Sequence, residues 1–227
     1  NLLQIEAFFL GQAGLLETAS IPERYQQKAQ KDSYFTQLES EYKYLAHKFG
    51  LQHMDASQWR FLRLRPQNFP HIRIAQLARL YYEQRAGLSQ LLDCGTVKQV
   101  RELLKTQVTT YWETHYVFGE ESAKSEKRLS SSSLNLQIIN TVIPILFAYG
   151  KHKNSEKYCD RAFSFLDALK AEDNHIVRMW KEVGLQVGTA GDSQALIQLK
   201  KAYCDRKDCL RCRIGYEYLK GNPSAQL

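Results

Sequence analysis

The chain has 227 residues, 44% hydrophobic and 24% charged; that is enough to bury the core of one large or two small domains and excludes a disordered or fibrous chain. A formal charge of +7 permits an acidic partner such as nucleic acid without requiring one. Five cysteines are too few for a disulfide scaffold and odd in number, which points to a reducing compartment, the cytoplasm.

The opening stretch NLLQIEAFFLGQAGLL carries one charge, Glu6, before Glu17 and lacks the basic flank of a secretory signal. It begins in mid-pattern and without Met, so it reads as a piece of a longer protein. From there on apolar residues recur at spacings of three and four, the mark of amphipathic helices, and alternating strand patterns are absent. In YFTQLESEYKYLAHKFG, Phe35, Leu38, Tyr42, Leu45 and Phe49 share one helical face, Asp32 or Ser33 offers an N-cap, and Gly50 is a stop. Asn68-Phe69-Pro70 interrupts the pattern, and Pro70 then opens a helix through HIRIAQLARLYYEQRAG, where its missing N–H costs nothing. The spacing predicts one long helix from Thr96 to about Phe118.

Residues Glu120–Ser133 are polar throughout and read as a mobile surface loop and internal boundary. LNLQIINTVIPILFAYG follows as a helix apolar on nearly all sides, expected at the centre of the fold, with Pro144 releasing the Asn140 carbonyl and kinking it. Further helices are predicted around Glu156–Lys170 and Ile176–Val183, and another with Asp192 as N-cap. No apolar run approaches the roughly 18 residues that span a bilayer, so no membrane is expected. The fold class is therefore all-α, an irregular multi-helix bundle or stacked helical hairpins of about nine or ten helices. It divides into an N-terminal half (1–119), the polar loop (120–133) and a C-terminal half (134–227), expected to pack as one compact unit.

Two clusters carry candidate chemistry. In YCDRKDCLRC, Cys204, Cys209 and Cys212 have the spacing C-x4-C-x2-C, amid Arg206, Lys207, Arg211 and Arg213, which favour thiolates. With Cys159 as fourth ligand (Cys94 and His175 ranking behind it), they would clasp a structural zinc ion or iron–sulfur cluster. The alternative is small buried residues with free thiols. The second cluster, WRFLRLRPQNFPHIRIAQLARLYYEQR, holds Arg60, Arg63, Arg65, Arg73, Arg79 and Arg85 against Glu83 alone. Arg63 and Arg65 alternate with Leu62 and Leu64, so an extended segment would project both to one side. Guanidinium forks bind phosphates bidentately, and Trp59, Phe61 or Phe69 offer stacking surfaces to bases of DNA or RNA. The alternative is pairing with acids such as Glu39, Glu41, Glu102 or Glu113.

Other motifs give less. Glu41-Tyr42-Lys43 matches a nuclease E-x-K fragment but falls in mid-helix. Glu113 and His115 lie two apart on the expected helix and do not face each other. No P-loop, G-x-G-x-x-G, H-E-x-x-H or G-x-S-x-G occurs. Asn68 and Asn140, each beside proline-disturbed backbone, are expected to cap it.

The stretches RPQNFPHIRIAQLARL, NTVIPILFAYG and DSQALIQLKKAYCDRKDCLRCRIG resemble an uncharacterised bacterial family, DUF2851, over essentially the whole chain, as the C-terminal helical part of a longer protein. That resemblance implies an upstream β-rich, restriction-endonuclease-like region in longer members, with any catalytic carboxylates outside this chain. The expected function is thus a non-catalytic helical accessory domain contacting nucleic acid beside an upstream nuclease-like domain. The alternative is a structural or protein-interaction module with no nucleic-acid role.

Overall fold

The structure, a computed structural model, describes residues 1–221. It is mostly helical: α1 (Leu2–Gln12), α2 (Glu23–Lys31), α3 (Ser33–Phe49), α4 (Pro70–Tyr82), α5 (Leu88–Asp93), α6 (Val97–Leu104), α7 (Thr110–Thr114), α8 (Ser131–Gln137), α9 (Ile143–His152), α10 (Glu156–Ala168), α11 (His175–Glu182), α12 (Ala190–Leu199) and α13 (Arg213–Leu219). Helices α8 and α9 run on through a π-helical turn, Ile138–Val142. Taken as one, they leave twelve helices among the described residues, ten of at least seven residues, near the predicted number. The chain divides into two compact units, Asn1–Cys94 with Lys98–Leu134, and Gly95–Val97 with the chain from Asn135 onward.

In the first unit, α1 packs on both α3 and α4. Asn1 and Gln4 form a capping box at the start of α1. Gly11 lets α1 approach α3 closely, since a Cβ there would fall inside the Tyr42 ring. Asp32 caps α3 by accepting from the Tyr34 and Phe35 amides, and Gly50 ends it at φ 62°, both as predicted. Pro70 opens α4. Phe35, Leu38, Ile72, Trp112 and Phe118 form the core, with the Phe118 ring about 5 Å from those of Phe35 and Trp112. Leu45 and Phe49, placed on the same face by the spacing, lie beyond this core, and Phe49 is 61% exposed.

The predicted helix from Thr96 to Phe118 is broken. After α6 the β-branched residues Thr106, Val108, Thr109 and Thr110 resist helix, and Val108 is drawn into the core. The Arg85 guanidinium satisfies two carbonyls at the end of α6, donating to those of Glu102 and Lys105. After α7 the chain forms a two-stranded hairpin, His115–Val117 with Glu120–Glu121. Its turn holds Gly119 at φ 76°, where a Cβ would meet the Ala29 amide. The polar segment predicted as a mobile loop is tethered: Ser122 and Ser125 amides bond to Thr114 and Glu113 carbonyls. Lys127 is buried, donating to the carbonyls of Trp112 and Glu113 with its ammonium 4.1 Å from the Tyr116 ring centre.

In the second unit, α9 and α10 form a hairpin made close by Gly150, against whose hydrogens the Cys159 sulfur rests. The π turn answers Pro144: the Ile143 amide reaches back to Ile138, and the Asn140 side chain donates to the Leu136 carbonyl at 2.9 Å. The helix through Pro144 is not buried all round. Ile138, Ile139, Val142, Ile143 and Leu146 face inward, whereas Leu136, Ile145 and Phe147 are exposed. Carried on as one helix, Ser131–His152 has 22 residues and includes an 18-residue window of mean hydropathy 1.3, long and apolar enough to cross a membrane by length and composition, which the shorter apolar run did not suggest. Helix α12 starts one turn earlier than predicted: Thr189 is the N-cap and Asp192 its reciprocal partner at the third position. Trp180 donates to the Leu196 carbonyl, tying α11 to α12.

Candidate nucleic-acid interface

The arginine-rich segment splits into two groups. Arg60, Arg63 and Arg65 are exposed on the loop between α3 and α4, and none has a carboxylate within ion-pair distance among the described residues. Arg73, Arg79 and Arg85 are turned inward. Arg73 donates to Gln76 and Asn68, Arg79 pairs with Glu83 at 2.6 Å, and Arg85 pairs with Glu83 at 2.8 Å besides closing α6. The charge partners are local, and none of the more distant acids weighed from sequence is used. Asn68, predicted to cap backbone, instead accepts from Arg73.

The loop is not extended as the Leu/Arg alternation suggested. Leu64 donates back to the Phe61 carbonyl, closing a turn with Arg63 at φ 64°, a left-handed conformation rare for a side chain of this size. Two anchors hold that turn: Trp59 donates from its indole to the Ala13 carbonyl at 2.8 Å, and Phe61 packs against Phe69 and His71. The tip presents Leu62, 90% exposed, beside Arg63. Pro66 then opens a 3-10 turn, Pro66–Asn68, that leads into α4.

Under this loop lies a pocket of about 370 Å³. Its walls are Tyr25, Phe61, Phe69 and Tyr116, with His71 among its lining. His71 is buried, its Nδ1 has no hydrogen-bond partner, and burial pushes its pKa down to about 3, so the imidazole is neutral. The rim carries Arg24 and the hairpin acids Glu120 and Glu121. Arg24 lies 4.6 Å over the Tyr25 ring and is also exposed without an acidic partner. A hydrogen bond to Glu120 holds the Tyr25 hydroxyl above its usual range. Sequence reasoning missed Arg24, Tyr25, His71 and the hairpin acids. One signal was present: Arg24 sits in the first turn of α2, where the helix dipole disfavours a cation, so that position suggests a use other than helix stability.

Phe118 and Trp112 are core residues, and His115 stacks on Tyr111 at 4.0 Å with Nδ1 at 3.0 Å from the Tyr111 carbonyl. Glu41 sits mid-helix, accepting from Gln4. The cysteines form no centre. Cys204 and Cys209 are exposed, Cys212 is buried as N-cap of α13, and Cys159 is buried in α10 with its sulfur toward the Phe147 carbonyl. Among the described residues no three His, Cys, Asp or Glu side chains come together as a metal site, so the predicted clasp of Cys204, Cys209, Cys212 and Cys159 is not assembled. Gly215 packs on the backbone of Cys209, giving this turn a packing role.

A family model described as "Protein of unknown function (DUF2851)" matches residues 1–175, about three quarters of the chain. No curated protein and no solved structure matches.

Proposed function

We propose, on the premise that the chain belongs to the DUF2851 family, that it is a non-catalytic helical module that contacts nucleic acid through the Trp59–Pro66 loop, as an accessory to a nuclease-like region elsewhere in a longer protein. The observation that carries this reading is the free guanidinium trio Arg60, Arg63 and Arg65, held on an anchored turn beside an aromatic pocket whose lining includes Arg24. An anchored loop loses little freedom on binding, and planar guanidinium forks suit phosphate oxygens. All five cysteines are free thiols, which supports a reducing compartment, the cytoplasm.

The test is fluorescence anisotropy with short labelled DNA and RNA strands at about 50 and 200 mM salt. Wild-type affinity should fall steeply with salt, and R60Q/R63Q/R65Q should flatten the slope by about two to three, since each phosphate no longer neutralised removes about 0.7–0.9. Absence of salt-dependent binding to either strand would end this reading. It would favour the second, a protein-interaction module, whose support is the exposed apolar set Ile145, Phe147 and Phe163 in the second unit.

A further inference from the structure

We infer that the pocket walled by Tyr25, Phe61, Phe69 and Tyr116 receives one unpaired base bearing an exocyclic amino group, so that the partner is a single-stranded nucleic acid. This rests on the reading of the loop arginines as phosphate ligands. At about 370 Å³ the pocket is at the small end of ligand sites, suited to one ring system rather than a helix or a folded segment. Its walls are aromatic rings, on which bases stack whatever their sequence. A base inside a duplex would first have to leave its own stack, so an unpaired strand is the favoured occupant.

The charges are arranged for such a ligand. Arg24 is on the rim, and Arg60 and Arg65 are next in sequence to the lining residues Phe61 and Pro66, so phosphates either side of a docked base have cations to meet. Glu120 and Glu121, also on the rim, would repel a phosphate but accept from an amino group, as carboxylates do from cytosine or adenine. Thymine and uracil lack the amino group and are the weaker fits.

The experiment compares, on the full chain, four ligands of equal length: an adenine strand, a thymine or uracil strand, an abasic backbone and a duplex, each in DNA and RNA form where it exists. The adenine strand should bind about tenfold or more tighter than the abasic backbone and the duplex, the span of one stacked base, and a few-fold tighter than thymine or uracil. Phe69→Leu should reduce adenine-strand affinity to that of the abasic backbone, and Glu121→Gln should narrow the preference for adenine over thymine. The abasic comparison leaves the protein untouched, so it decides the matter even if Phe69→Leu fails to fold. Equal, salt-dependent binding of the adenine strand and the abasic backbone would overturn the pocket inference while leaving the arginine reading standing. No salt-dependent binding of any ligand would remove both.

Discussion

Glu6 sits on the inward face of α1 with no exposed surface, and the perturbation of interest is Glu6→Gln. Burial pushes its carboxyl up from an ordinary 4.5 to about 7, against the opposing pull of hydrogen bonds from Tyr34 and Thr109 and the charge of Arg79. A carboxyl raised on folding contributes stability that is complete below the unfolded value and is lost as pH rises through the folded one. Between pH 5 and 8 that loss amounts to about 2–3 kcal/mol, from a shift of roughly 2.5 units at 1.36 kcal/mol each. His71 works in the opposite direction. Its imidazole falls from 6.5 to about 3 on folding, so its contribution is complete above 6.5 and is lost as pH falls, by about 2 kcal/mol at pH 5. The two slopes oppose each other across this window, so each masks part of the other in the wild type. Urea unfolding of the wild type and of Glu6→Gln at both pH values separates them. The variant should gain about 2 kcal/mol from pH 5 to 8, so its difference from wild type should change by about 2–3 kcal/mol. A difference that does not move with pH would refute a buried, proton-holding Glu6.

Two further outcomes follow from the same geometry. Lys127→Met should lower stability by about 2 kcal/mol or more in urea unfolding, because the Trp112 and Glu113 carbonyls lose a charged donor; a change within about 0.5 kcal/mol would return the segment to the status of a free surface loop. In thiol titration of the native chain, Cys204 and Cys209 should react first, and Cys94, Cys159 and Cys212 only on unfolding, without acceleration by a chelator; release of zinc or iron on adding the thiol reagent would reinstate a metal clasp.

The helices were legible where local chemistry agreed with tertiary need. Asp32 and Gly50 delimit α3 in the sequence because capping and left-handed φ are decided by residues a few positions apart. The stretch after α6 was not, because a three-and-four spacing carried on through Thr106, Val108 and Thr109 while β-branching and the distant Arg85 ended the helix. Lys127 was misread for a related reason: composition marks a run as polar but cannot say that one lysine of it will be spent on the carbonyls of α7. The arginine cluster was visible as a cluster, yet its division into bound and free members depended on Glu83 and Gln76 one turn away and on a turn at Arg63 that leucine–arginine alternation concealed. The pocket assembles residues from Ser20 to Ser122, and no spacing rule joins positions that far apart.

A π turn holds one residue more than the α-helical turn it replaces, so the extra residue at Ile138–Val142 is absorbed where it stands and α9 keeps the phase of a regular helix. Taking one residue out of that turn would leave Gly150 against the Cys159 sulfur. Taking one out of α9 ahead of Gly150 would instead turn every later residue by about 100° and bring Lys151 to the azimuth of Gly150, where a Cβ would collide with that sulfur. The turn tolerates a change of length that the helix after it does not.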